Sequence, residues 1–474
     1  MAPGEQGIVV VGGGVGGLAV ALALGRTGHR VTILERDVLP MVDDPEAAFA
    51  GERNGAPQAH QTHGFLARLV LLLRERFPDV LADLVDAGCS MLPLTADLGD
   101  LLPGDEDLAV LVVRRTTLEW ALRRAALASP NVELRPGAGV AGLVGTSADS
   151  TGPATVTGVR LDDGSELAAD AVIASTGRRG MVPEWLGELG VDVPETVHQT
   201  GLVYLTRWYR LPGRSVVDVE PKLAGDLGFV KYLAVPGDGG TFSVTLAIRS
   251  RDAELRAALV DPDRFDRACH LLEGPAAFFA LGPVEPLGPV RPMGGLVNRL
   301  RAFVDAAGQP TVTGFHAIGD AHTCTNPLYG RGCSLAVVHA VLLADAFAAY
   351  PADAVARAVA FEAGSTREVE PWFHVSVQMD AAGMRRARER GDGPRVSGPA
   401  TDPLTAVFAA GATDPVIGRG LLRFINLLTR PDELMTDADF ASRVAAVVAA
   451  PETVNVPAAP PGPTRAELLA EVAA

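Results

Sequence analysis

The chain has 474 residues, 48% of them hydrophobic, and a formal net charge of −16. This composition predicts a globular protein with a large core and excludes a disordered chain, while the acidic balance argues against nucleic acid or an anionic membrane as the main partner. The 4 cysteines show no CxxC spacing, so we predict no metal site and a reducing, cytoplasmic location. We also expect no stable membrane insertion, because no uncharged apolar run of roughly eighteen residues stands out.

The first element in the chain is a strand, a glycine turn, a helix and a second strand over residues 7–35. Gly12 allows the tight turn, Gly14 lets the backbone approach a pyrophosphate, and Gly17 lets the helix pack close to the sheet. Glu35 ends the second strand about 20 residues later, where a carboxylate accepts hydrogen bonds from a ribose diol. The turn Gly12-Gly13-Gly14-Val15-Gly16-Gly17 therefore predicts dinucleotide binding, with FAD and a nicotinamide cofactor as alternatives.

The next elements up to residue 180 follow from hydrophobic periodicity. We predict helices at 63–77, 79–87 and 116–127, and strands at 108–113 and 170–175. Short apolar runs at 132–134, 156–161 and 166–168 predict strands of a small antiparallel element.

The pattern changes after residue 180. Strand-like alternation is found at 201–211 and 229–250, a helical pattern at 252–272, and a strand at 314–320 followed by a long apolar helix to about residue 349. The region 352–450 is mostly helical with a break around 391–403, and a Pro-rich tail follows.

A second glycine-acid motif occupies residues 316–336. A strand ends at Gly319-Asp320, a loop leads to Gly330 and Gly332, and a helix begins near Cys333. The free N–H groups at a helix start create positive potential, which would stabilise a reduced, anionic flavin, and Asp320 can hold a ribitol hydroxyl. The alternative is an ordinary strand-to-helix loop. Together with the N-terminal motif, the pattern favours FAD.

These motifs resemble the FAD-dependent monooxygenases of the para-hydroxybenzoate hydroxylase fold. The landmarks, in order, are Gly12–Glu35, Arg115-Thr116-Thr117-Leu118-Glu119 and Gly319-Asp320…Pro327…Gly330…Gly332, spanning about residues 10–345. Within that fold, residues 55–63, 174–178 and 326–330 resemble bacterial polyether-type flavin epoxidases.

The resemblance implies an α/β fold: a Rossmann-like FAD-binding domain of the GR2 type, with an inserted β-sheet substrate domain and a C-terminal helical region. We expect the discontinuous FAD-binding domain at 1–180 and 290–350, the substrate domain at 181–289, and the helical region with its Pro-rich tail at 351–474. The oligomeric state is not indicated.

The resemblance also implies roles for individual residues. Arg115 would contact the FAD phosphates, Asp320 would contact the ribitol, and the 326–333 loop would lie against the isoalloxazine. The expected cofactor-binding residues are Gly12, Gly14, Gly16, Gly17, Glu35, Arg36, Arg115, Gly319, Asp320, Pro327, Gly330, Gly332 and Cys333. The chemistry is centred on the flavin, so no catalytic side chain is assigned; His60, His63 and Tyr329 are candidates, each with a structural role as the alternative.

By the same resemblance, the reaction is monooxygenation. Reduced FAD would form a C4a-hydroperoxide with O₂ and pass one oxygen atom to a small apolar substrate, as an epoxide or a hydroxyl, in secondary metabolism. The alternatives are a flavin-dependent reductase resembling geranylgeranyl reductases, which would turn over without O₂, and a non-catalytic flavoprotein.

Two departures from the family pattern concern the electron source and halogenation. Aromatic hydroxylases carry an Asp-Gly pair where this chain has Thr176-Gly177. NAD(P)H therefore supplies electrons either directly or through a partner flavin reductase. The Trp-rich motif of flavin halogenases is missing from this sequence, which disfavours halogenation.

Overall fold

The protein is described from a computed structural model. The described residues are 5–38, 41–96, 98–148, 152–213, 223–390 and 397–473. Residues 391–396 of the break predicted around 391–403 lie outside this set.

The α-helices of the described residues are numbered α1 to α16 in chain order: Val15–Arg26, Pro45–Ala50, Ala67–Arg76, Pro78–Asp86, Arg115–Ala128, Val182–Gly187, Ala253–Leu259, Pro262–Leu271, Glu273–Phe279, Gly332–Ala349, Ala354–Glu368, Glu370–Arg390, Pro403–Ala410, Pro415–Ile425, Ala438–Ala449 and Arg465–Ala473.

The strands of the same residues are numbered β1 to β22: Gly7–Val11, Arg30–Glu35, Ser90–Pro93, Ala109–Val112, Val132–Pro136, Val140–Thr146, Ala154–Leu161, Glu166–Ala168, Ala171–Ala174, Glu195–Gln199, Leu202–Arg210, Ala224–Asp226, Val230–Pro236, Thr241–Arg249, Glu285–Pro286, Arg291–Met293, Val297–Arg301, Val312–Thr313, Phe315–Ala317, Thr323–Cys324, Gly398–Pro399 and Asn455–Val456.

The central element is a five-stranded parallel sheet in the order β19-β9-β1-β2-β5. Strands β9 and β19 are fully buried and β1 nearly so, as expected of parallel strands with both faces covered. The predicted mixed α/β architecture is confirmed. The prediction that residues 132–134 belong to the small antiparallel element is wrong, because β5 pairs with β2 at the edge of this parallel sheet. An edge strand shows the same alternation of apolar and polar residues in both kinds of sheet, so the pattern does not distinguish them.

Helices α1, α5 and α10 pack together over one face of the parallel sheet. Among the described residues, α10 is the one helix long and apolar enough to cross a membrane by length and composition. Its apolar character has a local explanation, since 67% of its residues are buried within the protein, against α1, α3 and α11.

A second, antiparallel sheet is built on β12-β13-β14-β11-β15, with β16 also paired to β11. Strands β13 and β14 are joined at Gly239-Gly240, two residues with positive φ, which divide the predicted 229–250 strand region in two. One face of this sheet packs on helices α7, α8 and α9 and on the C-terminal helix α16. The other face contacts Gln61 and Thr62 and the turn at residues 326–328.

The helical pattern predicted for 252–272 forms two helices instead of one. Helix α7 ends at Leu259, and α8 begins at Pro262, where Asp261 caps the new helix by accepting hydrogen bonds from the N–H groups of Asp263 and Arg264. Proline at the first helical position, preceded by an Asp cap, is a start signal that periodicity alone does not reveal.

His316 on β19 produces a pH dependence of stability. Its ring packs between Phe347 and Phe361, its Nε2 has no hydrogen-bond partner in the described structure, and burial, followed by the charge of Arg357, lowers its pKa to about 3. Between pH 6.5 and 3 the unfolded chain binds a proton at this site that the folded protein does not. The stability contributed by the neutral ring is therefore full above pH 6.5 and is lost as pH falls.

We predict that His316→Leu reduces this acid sensitivity. Between pH 7.5 and 5.5 the wild-type free energy of unfolding should fall by about 1.4 kcal/mol more than that of the variant, as measured by urea unfolding at both values. The exposed His374→Leu should keep the wild-type slope. Equal slopes for wild type and His316→Leu would contradict the prediction.

Candidate cofactor cleft

A cleft of about 350 Å³ lies at the carboxyl ends of the parallel strands. This volume is in the range of small-molecule and cofactor sites. The two sequence motifs, which are about three hundred residues apart, both contribute to its lining. Of the predicted cofactor-binding residues, those that line it are Gly12, Gly14, Gly16, Glu35, Arg36, Arg115, Gly319, Asp320, Pro327, Gly330, Gly332 and Cys333.

The glycine turn at the end of β1 tolerates no side chain at two positions. Gly12 has φ +107°, and a Cβ there would lie 2.5 Å from the Ser175 carbonyl oxygen. A Cβ on Gly17 would lie 1.9 Å from the carbonyl oxygen of Gly12. Gly17 does not line the cleft and packs beneath the turn. The two glycines therefore allow the tight turn that leads from β1 into α1.

Two helices begin at the cleft without a side-chain cap. Helix α1 follows Gly14, and α10 follows Arg331; neither residue caps its helix through its side chain, and neither helix has an acidic residue in its first turn. The unsatisfied N–H groups at both starts therefore remain free to bind an anionic or carbonyl group of a ligand.

Glu35 is held in place by a buried arginine. Its Oε2 accepts hydrogen bonds from the Gly13 N–H, at 2.9 Å, and from Arg53, at 3.3 Å, and its Oε1 accepts from the Asp37 N–H at 2.9 Å. Arg53 also pairs with Asp37 and Glu119 and is only 7% exposed. The guanidinium thus joins three carboxylates at one end of the cleft, which fixes the orientation of Glu35.

Arg115 lies between an acid and a histidine. Its Nε donates to Glu119 Oε1 at 2.9 Å, and its Nη1 lies 3.2 Å from His63 Nε2. Burial alone would raise the pKa of Glu119, but the charges of Arg53 and Arg115 outweigh it and lower that pKa to about 2. The Arg115 side chain is thereby held against the cleft next to Gly14.

The surroundings of His63 keep it neutral. Burial, and then the charge of Arg115, lower its pKa to about 3. Its Nδ1 lies 2.9 Å from the Gln61 carbonyl oxygen, so that nitrogen carries the proton and Nε2 accepts from Arg115. His63 lines the cleft, and these contacts describe a residue that orients Arg115 rather than one that exchanges protons.

Asp320 differs from the other acids of the cleft because no hydrogen bond reaches its carboxylate from the described residues. Burial raises its pKa, against the opposing charges of Arg115, Arg178 and Arg299. The turn before it is fixed from below, since the Gly319 N–H donates to His339 Nδ1 at 3.0 Å. Asp320 is thus a rigidly mounted acceptor that faces the cleft without a partner.

The remaining two candidates, His60 and Tyr329, do not line the cleft. His60 Nε2 bonds to the Phe49 carbonyl oxygen at 2.8 Å, and its ring packs against that phenylalanine. The Tyr329 hydroxyl donates to Asp380 at 2.6 Å. These contacts place His60 in the structural support of the site and direct Tyr329 towards α12.

Hydroxyl groups of the antiparallel sheet bond to one another and to Gln61 and Thr62, which line the cleft. Thr206 bonds to Gln61 and to Thr245 at 2.6 Å each, and Thr62 bonds to Thr245 and to Ser243 at 2.7 Å each. These polar side chains therefore bond mainly to one another. They also connect the segment after β2 to the sheet.

A small second cavity of about 40 Å³ continues from the cleft. It shares Gln61, Thr62 and Pro327 with the cleft, and its other lining residues are Tyr204, Lys231, Tyr232, Leu233, Thr245, Ala247 and Leu328. Its walls come from the antiparallel sheet and from the turn at Pro327–Tyr329. It therefore lies between the antiparallel sheet and that turn.

Comparison with solved structures identifies the fold. Flavin-dependent brominase Bmp2 has a TM-score of 0.62 and 14% identity, covering 93% of this chain and 98% of its own. p-Nitrophenol 4-monooxygenase PnpA from Pseudomonas putida DLL-E4 has a TM-score of 0.60 and 20% identity, covering 89% and 98%. PqsL, a probable FAD-dependent monooxygenase from Pseudomonas aeruginosa, has a TM-score of 0.57 and 18% identity, covering 81% and 96%.

The chain therefore has the fold of these flavin-dependent enzymes, and the predicted para-hydroxybenzoate hydroxylase fold is confirmed. No family model matches the chain, and no curated protein matches its sequence.

Sequence reasoning missed two residues of the charged cluster. Glu119 had a usable signal, because it stands four residues after Arg115 on a helix, the spacing of a facing ion pair. Arg53 had none, since it lies in an irregular segment, and its partners Glu35, Asp37 and Glu119 are all distant from it in the chain.

We predict that Arg53→Met strongly destabilises the protein. Three carboxylates would lose their shared cation, and breaking a buried ion pair on one side costs about 3–5 kcal/mol, measurable by urea unfolding. Arg36→Met is the matched control, because Arg36 is exposed and should change stability by no more than about 0.5 kcal/mol. Similar losses in both variants would contradict a special role for Arg53.

Proposed function

We propose that the protein is an FAD-dependent monooxygenase that inserts one oxygen atom from O₂ into a small apolar molecule, by epoxidation or hydroxylation. One observation carries the proposal: a single cleft is lined by both the Gly12–Glu35 motif and the Gly319–Gly332 motif. The fold shared with flavin-dependent enzymes supports it.

The free groups of the cleft fit FAD. Two helix starts offer N–H donors, as a pyrophosphate and the carbonyls of a flavin require. Asp320 offers an unpartnered acceptor for a hydroxyl, and the buried Oγ1 of Thr176, which also lines the cleft, has no hydrogen-bond partner among the described residues. A nicotinamide dinucleotide would account for the first motif but would leave Asp320 and the start of α10 without a role.

In this assignment each group of the chain has a defined task. Glu35, held by Arg53, accepts the adenosine ribose hydroxyls; Arg115 and the start of α1 bind the phosphates; Asp320 accepts a ribitol hydroxyl. The start of α10 stabilises negative charge on the flavin. Bound FAD supplies the activation of O₂, which no side chain of the protein provides.

We place the substrate where the cleft meets the second cavity. Leu233, Ala247 and Leu328 give the second cavity an apolar part, and the hydroxyl groups of Thr62, Thr206, Ser243 and Thr245 are bonded to one another beside it. A poorly hydrated site protects a reactive oxygen species from water. His60, His63 and Tyr329 are engaged in other contacts, which supports chemistry that needs no protein acid or base.

We predict that the protein binds one FAD non-covalently and that Asp320→Ala weakens this binding. Loss of a charged acceptor costs about 1.5–3 kcal/mol, which is roughly tenfold to a hundredfold in Kd, measured by fluorescence titration. Because burial opposes the charge of Asp320, the cofactor-free variant should unfold at no lower urea concentration than the wild type. Acid precipitation of the wild type should release yellow FAD into the supernatant.

Asp163→Asn, in an exposed hairpin turn, is the control and should leave FAD affinity unchanged. Flavin that stays with the acid pellet, or wild-type protein that binds only NAD, would contradict the proposed cofactor. Global unfolding of Asp320→Ala, or an unchanged Kd, would contradict the role of Asp320.

We predict that NADH and NADPH alone reduce the bound FAD slowly and that an added flavin reductase restores turnover. The reason is Thr176-Gly177, which stands where self-reducing relatives carry Asp-Gly. Anaerobic stopped-flow absorbance at the oxidised flavin band measures the rate. Rapid bleaching by NAD(P)H alone would contradict the prediction.

The reductase-coupled system also tests the reaction class. With ¹⁸O₂, a converted alkene or electron-rich aromatic compound should gain one ¹⁸O atom. Turnover without O₂ would contradict monooxygenation and favour a reductase. If the protein binds FAD but converts none of the tested compounds, with or without O₂, the result would favour a non-catalytic flavoprotein.

A further inference from the structure

One carboxylate outside both motifs collects three hydrogen bonds beside the cofactor cleft. Asp380 lies in the middle of α12. Its Oδ1 accepts from Asn326 Nδ2 at 2.8 Å and from the Tyr329 hydroxyl at 2.6 Å, and its Oδ2 accepts from Asn298 Nδ2 at 2.7 Å. All three partners act as donors, so only an acceptor-only group satisfies them, and an ionised carboxylate is such a group.

The two asparagines pass this orientation on. With its amide nitrogen directed to Asp380, Asn326 presents Oδ1 to the Tyr204 hydroxyl, at 2.6 Å, and to the Leu328 N–H, at 3.0 Å. Asn298 likewise presents its Oδ1 to the Asn326 N–H at 2.7 Å. The carboxylate therefore determines which way both amides point, and the amide oxygens in turn hold the Tyr204 hydroxyl and the backbone of the loop.

The network connects three parts of the molecule. Asn298 is on β17, Tyr204 is on β11 of the antiparallel sheet, and Asn326 caps the turn Pro327–Tyr329. Pro327 and the following Gly330, which has φ +67°, line the cleft. Tyr204 lines the second cavity. A single residue of α12 thus reaches both the loop of the cofactor cleft and the wall of the cavity.

A second contact from the same helix supports the loop. Arg331, at the start of α10, is 1% exposed and donates to Ser376 Oγ at 2.8 Å. Its guanidinium lies over the rings of Tyr329, at 4.8 Å, and Trp372, at 5.1 Å. Helix α12 therefore holds the loop at both ends, through Asp380 at Asn326 and through Ser376 at Arg331.

We propose that Asp380 is a positioning residue: its carboxylate orients Asn326 and Asn298 and thereby fixes the 326–330 loop against the cofactor cleft and Tyr204 against the substrate cavity. The proposal rests on the proposed function in so far as the cleft binds FAD. Under this proposal α12, which comes after both motifs in the chain, supports the site by holding the loop in place.

The test is Asp380→Asn, an isosteric change that places an amide donor opposite existing donors. Hydrogen exchange of the cofactor-free protein should show faster exchange of the 326–331 amides, by about tenfold or more, because the lost bonds are charge-assisted. FAD should bind at least tenfold more weakly, and the visible absorption band of the bound flavin should change shape. Asp380→Glu keeps the carboxylate and should recover part of each effect.

Glu370→Gln is the matched control on the same helix, because among the described residues the side chain of Glu370 bonds only to the exposed His374 and to no residue of the loop. It should leave exchange at 326–331 and FAD affinity at wild-type values. A variant Asp380→Asn that is less stable but shows unchanged exchange at 326–331, unchanged Kd or an unchanged flavin spectrum would overturn the proposal. If the wild-type protein binds no FAD, the proposed function fails, and the exchange comparison alone decides whether Asp380 holds the loop.

Discussion

The close packing of α1 on α10 is the contact on which the whole site depends. A Cβ on Gly16 would lie 3.3 Å from the Cβ of Ala336, and a Cβ on Gly319 would lie at the same distance from it. Small residues at these positions let the two helices approach, so their uncapped starts open into one cleft. Larger side chains there would separate the helices, and two motifs distant in the chain would no longer face a common ligand.

The charges around the cleft fall into two groups with different consequences. Arg53 is buried and bonds to both Glu35 and Glu119, which are also buried, so these residues give their end of the cleft a fixed shape before any ligand arrives. Asp320 is mounted just as firmly by its backbone but has no partner in the described structure. A site that combines satisfied supporting charges with one unsatisfied acceptor loses little entropy on binding, because only the ligand must become ordered.

The features that the sequence reveals are those that the backbone itself imposes. Gly12 is required by its positive φ, and a Cβ on either Gly12 or Gly17 would lie under 3 Å from a carbonyl oxygen, so a local pattern suffices to predict the first turn. Arg53 and Asp380 act through partners on distant elements, and no spacing signals them. Periodicity likewise predicts that β5 is a strand but not which sheet it joins, since an edge strand alternates in either setting.

The position of β19 in the parallel sheet affects how the chain folds during its synthesis. This strand pairs with β9, but it begins at Phe315, whereas β9 ends at Ala174. The ribosome therefore synthesises the whole antiparallel sheet before it reaches β19. At ~5–20 residues per second the ribosome needs on the order of ten seconds for that interval. During this time β9 lacks its partner on that edge, and an unpaired apolar strand edge is a surface on which other chains can pair.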